Sequence, residues 1–135
     1  MNLFYLKRGK EELNMALQLF SNLNDSTIVK LVEHLVKGMD FMIDYLNDKH
    51  TELISDIVPA RIIIENVLDK DFLETYFYLN SLKNKSLKVL KPSSILVDGK
   101  KIEHYSTDEF KMLMDKVVSY FNTVYEKTEN GSVWV

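Results

Sequence analysis

Three histidines, His34, His50 and His104, are the side chains best suited to proton transfer near neutral pH, and they fall in three separate segments. No two stand four residues apart and none ends a Glu-x-x-His spacing, so the helical ligand sets that build zinc or di-iron sites are missing. The chain has no cysteine, which removes thiolate nucleophiles and thiolate metal ligands. A serine nucleophile needs a sharp Gly-x-Ser-x-Gly turn to present it, and the four glycines are isolated, so neither that turn nor a phosphate-cradling loop can form. These residues lead to an expectation of no catalytic site, no metal and no cofactor.

Charge is patterned in two places. Asp40, Asp44, Asp48, Glu52 and Asp56 recur every fourth residue and would line one face of a continuous helix, where like charges repel. Two readings are open: a solvated face with the helix ending near Asn47, or a strip that docks a basic partner or a divalent cation through oxygen ligands. Between Ser81 and Lys101 the sign reverses, and Lys83, Lys85, Lys88, Lys91, Lys100 and Lys101 are opposed only by Asp98. Lysines bind phosphates without reading bases, and Tyr78 or Tyr105 could supply a stacking face, so this is a candidate patch for weak RNA binding. A lysine-rich helix end favoured by the helix dipole explains the same residues without a ligand.

The elements that must carry these residues are mostly helical. In 135 residues, 46% hydrophobic and 27% charged, there is material for one domain with its own core. Leu13, Ala16, Leu17 and Phe20 predict a first amphipathic helix. Asp25 or Ser26 can cap a second of about 22 residues, with an apolar stripe from Ile28 through Leu31, Val32, Leu35, Met39, Met42 and Ile43 to Leu46. Pro59 suits the first turn of a short helix over 59–68. Asp71 and Glu74 have capping-box spacing ahead of a helix expected to run to Pro92. The turn pair Asp98-Gly99 predicts a small β-hairpin near residues 94–105, and Ser106 with Glu109 forms a second capping box before the stripe Phe110, Leu113, Met114, Val117, Phe121 and Val124. The expected fold is all-α, an up-and-down bundle of four to five helices with that hairpin. A single domain over 1–127 is followed by a frayed tail over 128–135 in which Trp134 could pack.

On the second helix His34, Gly38, Phe41 and Tyr45 share a face about 140° round from the main stripe. A helix with two apolar faces must bury both, either against another chain, as a dimer face, or under a neighbouring helix of its own chain.

The order of these pieces resembles the HEPN superfamily of helical-bundle domains. The resemblance rests on Val32-Glu33-His34-Leu35-Val36-Lys37-Gly38-Met39, on Lys49-His50-Thr51-Glu52-Leu53, and on the Tyr76 to Lys91 segment followed by a loop and a closing amphipathic helix. Active members resemble RNases that use an Arg, a short polar spacer and a His near the third long helix. The matching region here reads Tyr78-Leu79-Asn80-Ser81-Leu82-Lys83-Asn84-Lys85-Ser86-Leu87, with neither Arg nor His. The resemblance therefore implies a catalytically degenerate copy that keeps the family's habit of dimerising and binding partners.

A net charge of -3 gives no global pull towards nucleic acid or anionic membranes. The absence of a signal-peptide pattern, of cysteine and of any apolar run approaching 20 residues leads us to expect a cytoplasmic protein off the membrane. The leading expectation is a non-catalytic interaction module, a homodimer that binds a protein or nucleic-acid partner. The alternative is an RNase or nucleotide-handling enzyme using the Lys83–Lys101 patch with His104 as its base.

Overall fold

The computed structural model describes residues 4–54, 68, 70–82, 86–89 and 102–129. Within them the chain is dominated by helices: α1 (Phe4–Phe20), α2 (Ile28–Ile54), α3 (Lys70–Leu82) and α4 (Thr107–Glu129), with two short strands, β1 (Ser86–Val89) and β2 (Ile102–Tyr105). α2 is the central strut, in contact with α1, α3, α4 and β1.

Its stripe explains that position. Ile28, Leu31, Val32, Leu35, Met39, Met42 and Leu46 are all buried, and Ile43 packs partly against them. The turn into α2 is organised by Asn24, whose Oδ1 accepts from the amides of Ser26 at 2.9 Å and Thr27 at 3.1 Å. The expected caps Asp25 and Ser26 are thus replaced by Asn24, because a side chain folding onto its own turn competes best for those amides. The helix also continues beyond Asn47 to Ile54, so Asp40, Asp44, Asp48 and Glu52 do lie on one unbroken helix.

α1 runs antiparallel to α2: Tyr5 meets Phe41, Gly9 meets Gly38 and Glu12 meets His34. Its buried side is Leu6, Gly9, Glu12, Leu13 and Ala16. Leu17, expected on that stripe, is 45% exposed, since burial at positions 6, 9, 13 and 16 places it a residue past the seam.

α4 opens on the expected capping box: the Ser106 amide donates to Glu109 Oε2 and the Glu109 amide to Ser106 Oγ, both at 3.1 Å. Phe110, Met114, Val117 and Val124 are buried beneath it. The other box does not form as expected. Asp71 lies inside α3, and its carboxylate is held by Lys116 Nζ and the Tyr120 hydroxyl.

The helix expected to reach Pro92 stops at Leu82, and Ser86–Val89 is a strand. Leu87 and Val89 alternate with Lys88 at the two-residue period of an extended chain, and Leu87 is buried. β1 and β2 pair in parallel, Ser86 with Ile102 through Val89 with Tyr105. A parallel pair needs a long connection rather than a tight turn. The last four residues of the expected hairpin therefore pair with β1, and the turn at Asp98-Gly99 lies outside the described residues. So do the short helix over 59–68, apart from buried Leu68, and the tail beyond Glu129.

Candidate functional site

The structure brings the candidate dimer face together and covers it. His34, Gly38 and Phe41 meet Glu12, Leu13 and Tyr5 of α1 in the same chain. Tyr45 is 1% exposed in the core, and Phe41 packs on the Tyr5 ring at a centroid distance of 6.4 Å with Arg8 above it at 5.6 Å. Gly38 is the point of closest approach: a Cβ there would sit 2.8 Å from Leu13 Cδ2. At Gly9 the nearest atom would be Phe41 Cβ at 3.4 Å, an ordinary contact. α1 thus packs on the second apolar face of α2 within the chain, leaving His34 and Phe41 half-buried.

His34 completes that seam with a partner that the spacing of the sequence does not single out. Its Nδ1 lies 2.5 Å from Glu12 Oε2, and Arg8 reaches the other oxygen at 3.6 Å. Glu12 is 4% exposed. A carboxylate this deep needs paired charge and hydrogen bonds to tolerate loss of water. The available signal is a charged residue between Gly9 and Leu13 on the apolar side of α1.

The acidic strip is closed at its first member. The Tyr76 hydroxyl of α3 donates to Asp40 Oδ1 at 2.5 Å. Burial, reinforced by that bond and by the charges of Asp40 and Asp44, pushes the phenol up to about 12. Asp44, one turn on, is also raised, first by desolvation and then by the charge of Asp40. Asp71 moves the other way, lowered by its hydrogen bonds from Lys116 and Tyr120. Among the described residues no group of three acidic, histidine or cysteine side chains could hold a metal ion.

Of the lysine patch, Lys83, Lys85, Lys91, Lys100 and Lys101 lie outside the described residues. Lys88 falls in β1, and the register sets it opposite His104 in β2. His50 carries no described side chain. Tyr78, named as a stacking candidate, is exposed on α3 beside Phe77, which at 62% is among the most exposed large apolar side chains of the described residues.

Phe77 marks a second apolar side on α3. Phe72, Leu79 and Leu82 face the core. Leu73 is half-buried one turn before Phe77, and the Tyr76 ring meets Phe77 edge-on at 5.6 Å. No described helix is long and apolar enough to cross a membrane. Comparison with known protein families, characterised proteins and solved structures finds no match to this chain.

Proposed function

We propose that this chain is a non-catalytic helical-bundle interaction module of HEPN-like descent, acting as a homodimer that binds a protein or nucleic-acid partner. The observation that carries the reading is the exposed aromatic side of α3, Phe77 with Tyr78 beside it, flanked by half-buried Leu73 and Tyr76. An aromatic row on one helix suits a second copy, because a two-fold axis through it pairs like with like and buries both rows at once. Aromatic side chains supply large contact area at low entropic cost, which is why they anchor such interfaces. The face around Gly38 is not needed for this assembly, being filled by α1. Sedimentation across a concentration series tests the reading: a monomer-dimer equilibrium supports it, and a monomer at every concentration removes the homodimer.

The second reading is an RNase or nucleotide-handling enzyme of cytoplasmic setting, and one observation favours it. The parallel pairing sets Lys88 and His104 at one register position of the two strands. RNA binding that falls steeply with salt and is lost in a Lys85→Ala/Lys88→Ala double variant would support a phosphate patch. Hydrolysis abolished by His104→Ala would favour the enzyme over the module.

A further inference from the structure

α1 and α4 frame a groove of roughly 580 Å³, lined by Leu6, Lys7, Lys10, Phe121, Asn122 and Tyr125. That volume falls within the range of small-molecule sites, roughly 300–1,000 Å³. Its floor is apolar: Leu6 is buried, Phe121 is half-buried, and Tyr125 stands 47% exposed. Its charges are the two lysines, and among the described residues no carboxylate lines it. We propose that this groove binds a small amphipathic carboxylate, a compact apolar body lying along Phe121 and Tyr125 with its anionic head between Lys7 and Lys10.

The charge pattern of α1 selects an anion. Three cations fall close together near its start, Lys7, Arg8 and Lys10. Arg8 turns to Glu11 and Glu12 and lies over the Phe41 ring, so the nearby carboxylates are already engaged. Lys7 and Lys10 are exposed and make no ion pair among the described residues. Three positions apart on a helix they are neighbours, and like charges at that spacing repel. An anion seated between them relieves the repulsion and gives both ammonium groups a charged acceptor.

The lining selects the rest of the ligand. Phe121 and Tyr125 stand one turn apart on α4, about 6 Å along its axis, so the apolar wall is short. That length suits a medium acyl chain or one aromatic ring, and would leave the remainder of a long chain in water. An ammonium is a point charge that holds a carboxylate without demanding bidentate geometry, and the Asn122 amide adds a donor within the same lining. An uncharged amphiphile leaves both lysines unpaired and a bare anion leaves the rings wet, so the two features together name the class. The site shares no residue with the aromatic side of α3 and stands apart from the self-association proposed there.

Decanoate, decanol and acetate separate the two features. Isothermal titration calorimetry is run on the full chain, on Lys7→Gln/Lys10→Gln and on Tyr125→Ser, with decanoate kept below micelle formation and circular dichroism checking the fold. All three positions are exposed, so the variants keep the bundle. The expected result is one saturable decanoate site, weakened about tenfold by loss of the two charges and several-fold by loss of the ring, with decanol weaker than decanoate and acetate silent. No saturable decanoate site overturns the proposal; if Tyr125→Ser then turns a sedimenting dimer into a monomer, the groove belongs to a second copy. Decanoate binding that neither variant weakens places the ligand elsewhere and overturns it too, as does decanol binding as tightly as decanoate.

Discussion

Glu12 Oε2 and His34 Nδ1 face each other at 2.5 Å across the antiparallel seam of α1 and α2. The two residues stand 22 positions apart, and the pair pins the register of helices whose backbones meet at Gly9 and Gly38. This seam is where α1 meets the second apolar face of α2.

The pair's coupling is measurable by a double-mutant cycle. His34→Ala leaves a deeply buried carboxylate with Arg8 alone and is expected to cost about 1–3 kcal/mol in urea unfolding. Glu12→Leu combined with His34→Leu should cost less than the sum of the single substitutions, because removing both partners leaves no stranded charge. Additive costs would show that the contact carries no coupling.

Two glycines on the same seam should respond oppositely. Gly38→Leu forces a side chain into the space of Leu13, which is itself buried, and is expected to destabilise by about 1–3 kcal/mol or more. Gly9→Ala meets only ordinary contacts and gains helix propensity, so it should be neutral or stabilising by up to about 1 kcal/mol. Thermal melts of the two variants check the contrast.

Tyr76 gives an alkaline signature. Its phenol titrates near 10.0 when unfolded and is raised to about 12 in the fold. The folded state therefore holds the proton more tightly. The associated stability is fully present below pH 10 and is lost as pH rises towards about 12. Tyr76→Phe should remove that pH-dependent portion, leaving a flatter stability curve over this window.

The two aspartates have opposite signs in acid. Asp44 is raised, so its charge costs stability at neutral pH, and the cost disappears as pH falls through its folded value. Asp44→Asn should stabilise the protein at pH 7 by a few tenths of a kcal/mol, as expected for relief of one like-charge pair four residues apart. Asp71 is lowered, so its contribution is present above the ordinary carboxylate value and is lost as pH falls through its folded one. It is nearly half exposed, and Asp71→Asn should cost less than about 1 kcal/mol at neutral pH. Urea titrations at both pH extremes distinguish the pair.

Local periodicity is the part of the fold that the amino-acid sequence makes legible. The stripe from Ile28 to Leu46 and the Ser106-Glu109 box both stand as expected, because each depends on residues within one or two turns of one another. What the sequence hides depends on contacts between distant segments. Asp71 has the spacing of a cap, yet Lys116 and Tyr120 claim its carboxylate. Leu87-Lys88-Val89 is short enough to fit either a helical or an extended period, and pairing with residues 102–105 decides it. The candidate dimer face is apolar on sequence alone, but only the path of α1 tells which neighbour covers it. The groove by Tyr125 carries no sequence signal, since its walls come from two helices at opposite ends of the chain.

Self-association through Phe77 of α3 is tested most directly by the solution mass of the wild type beside Phe77→Asp, from sedimentation at matched concentrations with helicity checked by circular dichroism. The expected outcome is a wild-type dimer, and a variant that keeps its helical signal but sediments as a monomer. A wild type that is monomeric throughout, or a dimer that survives the aspartate unchanged, would rule out α3 as the dimer face.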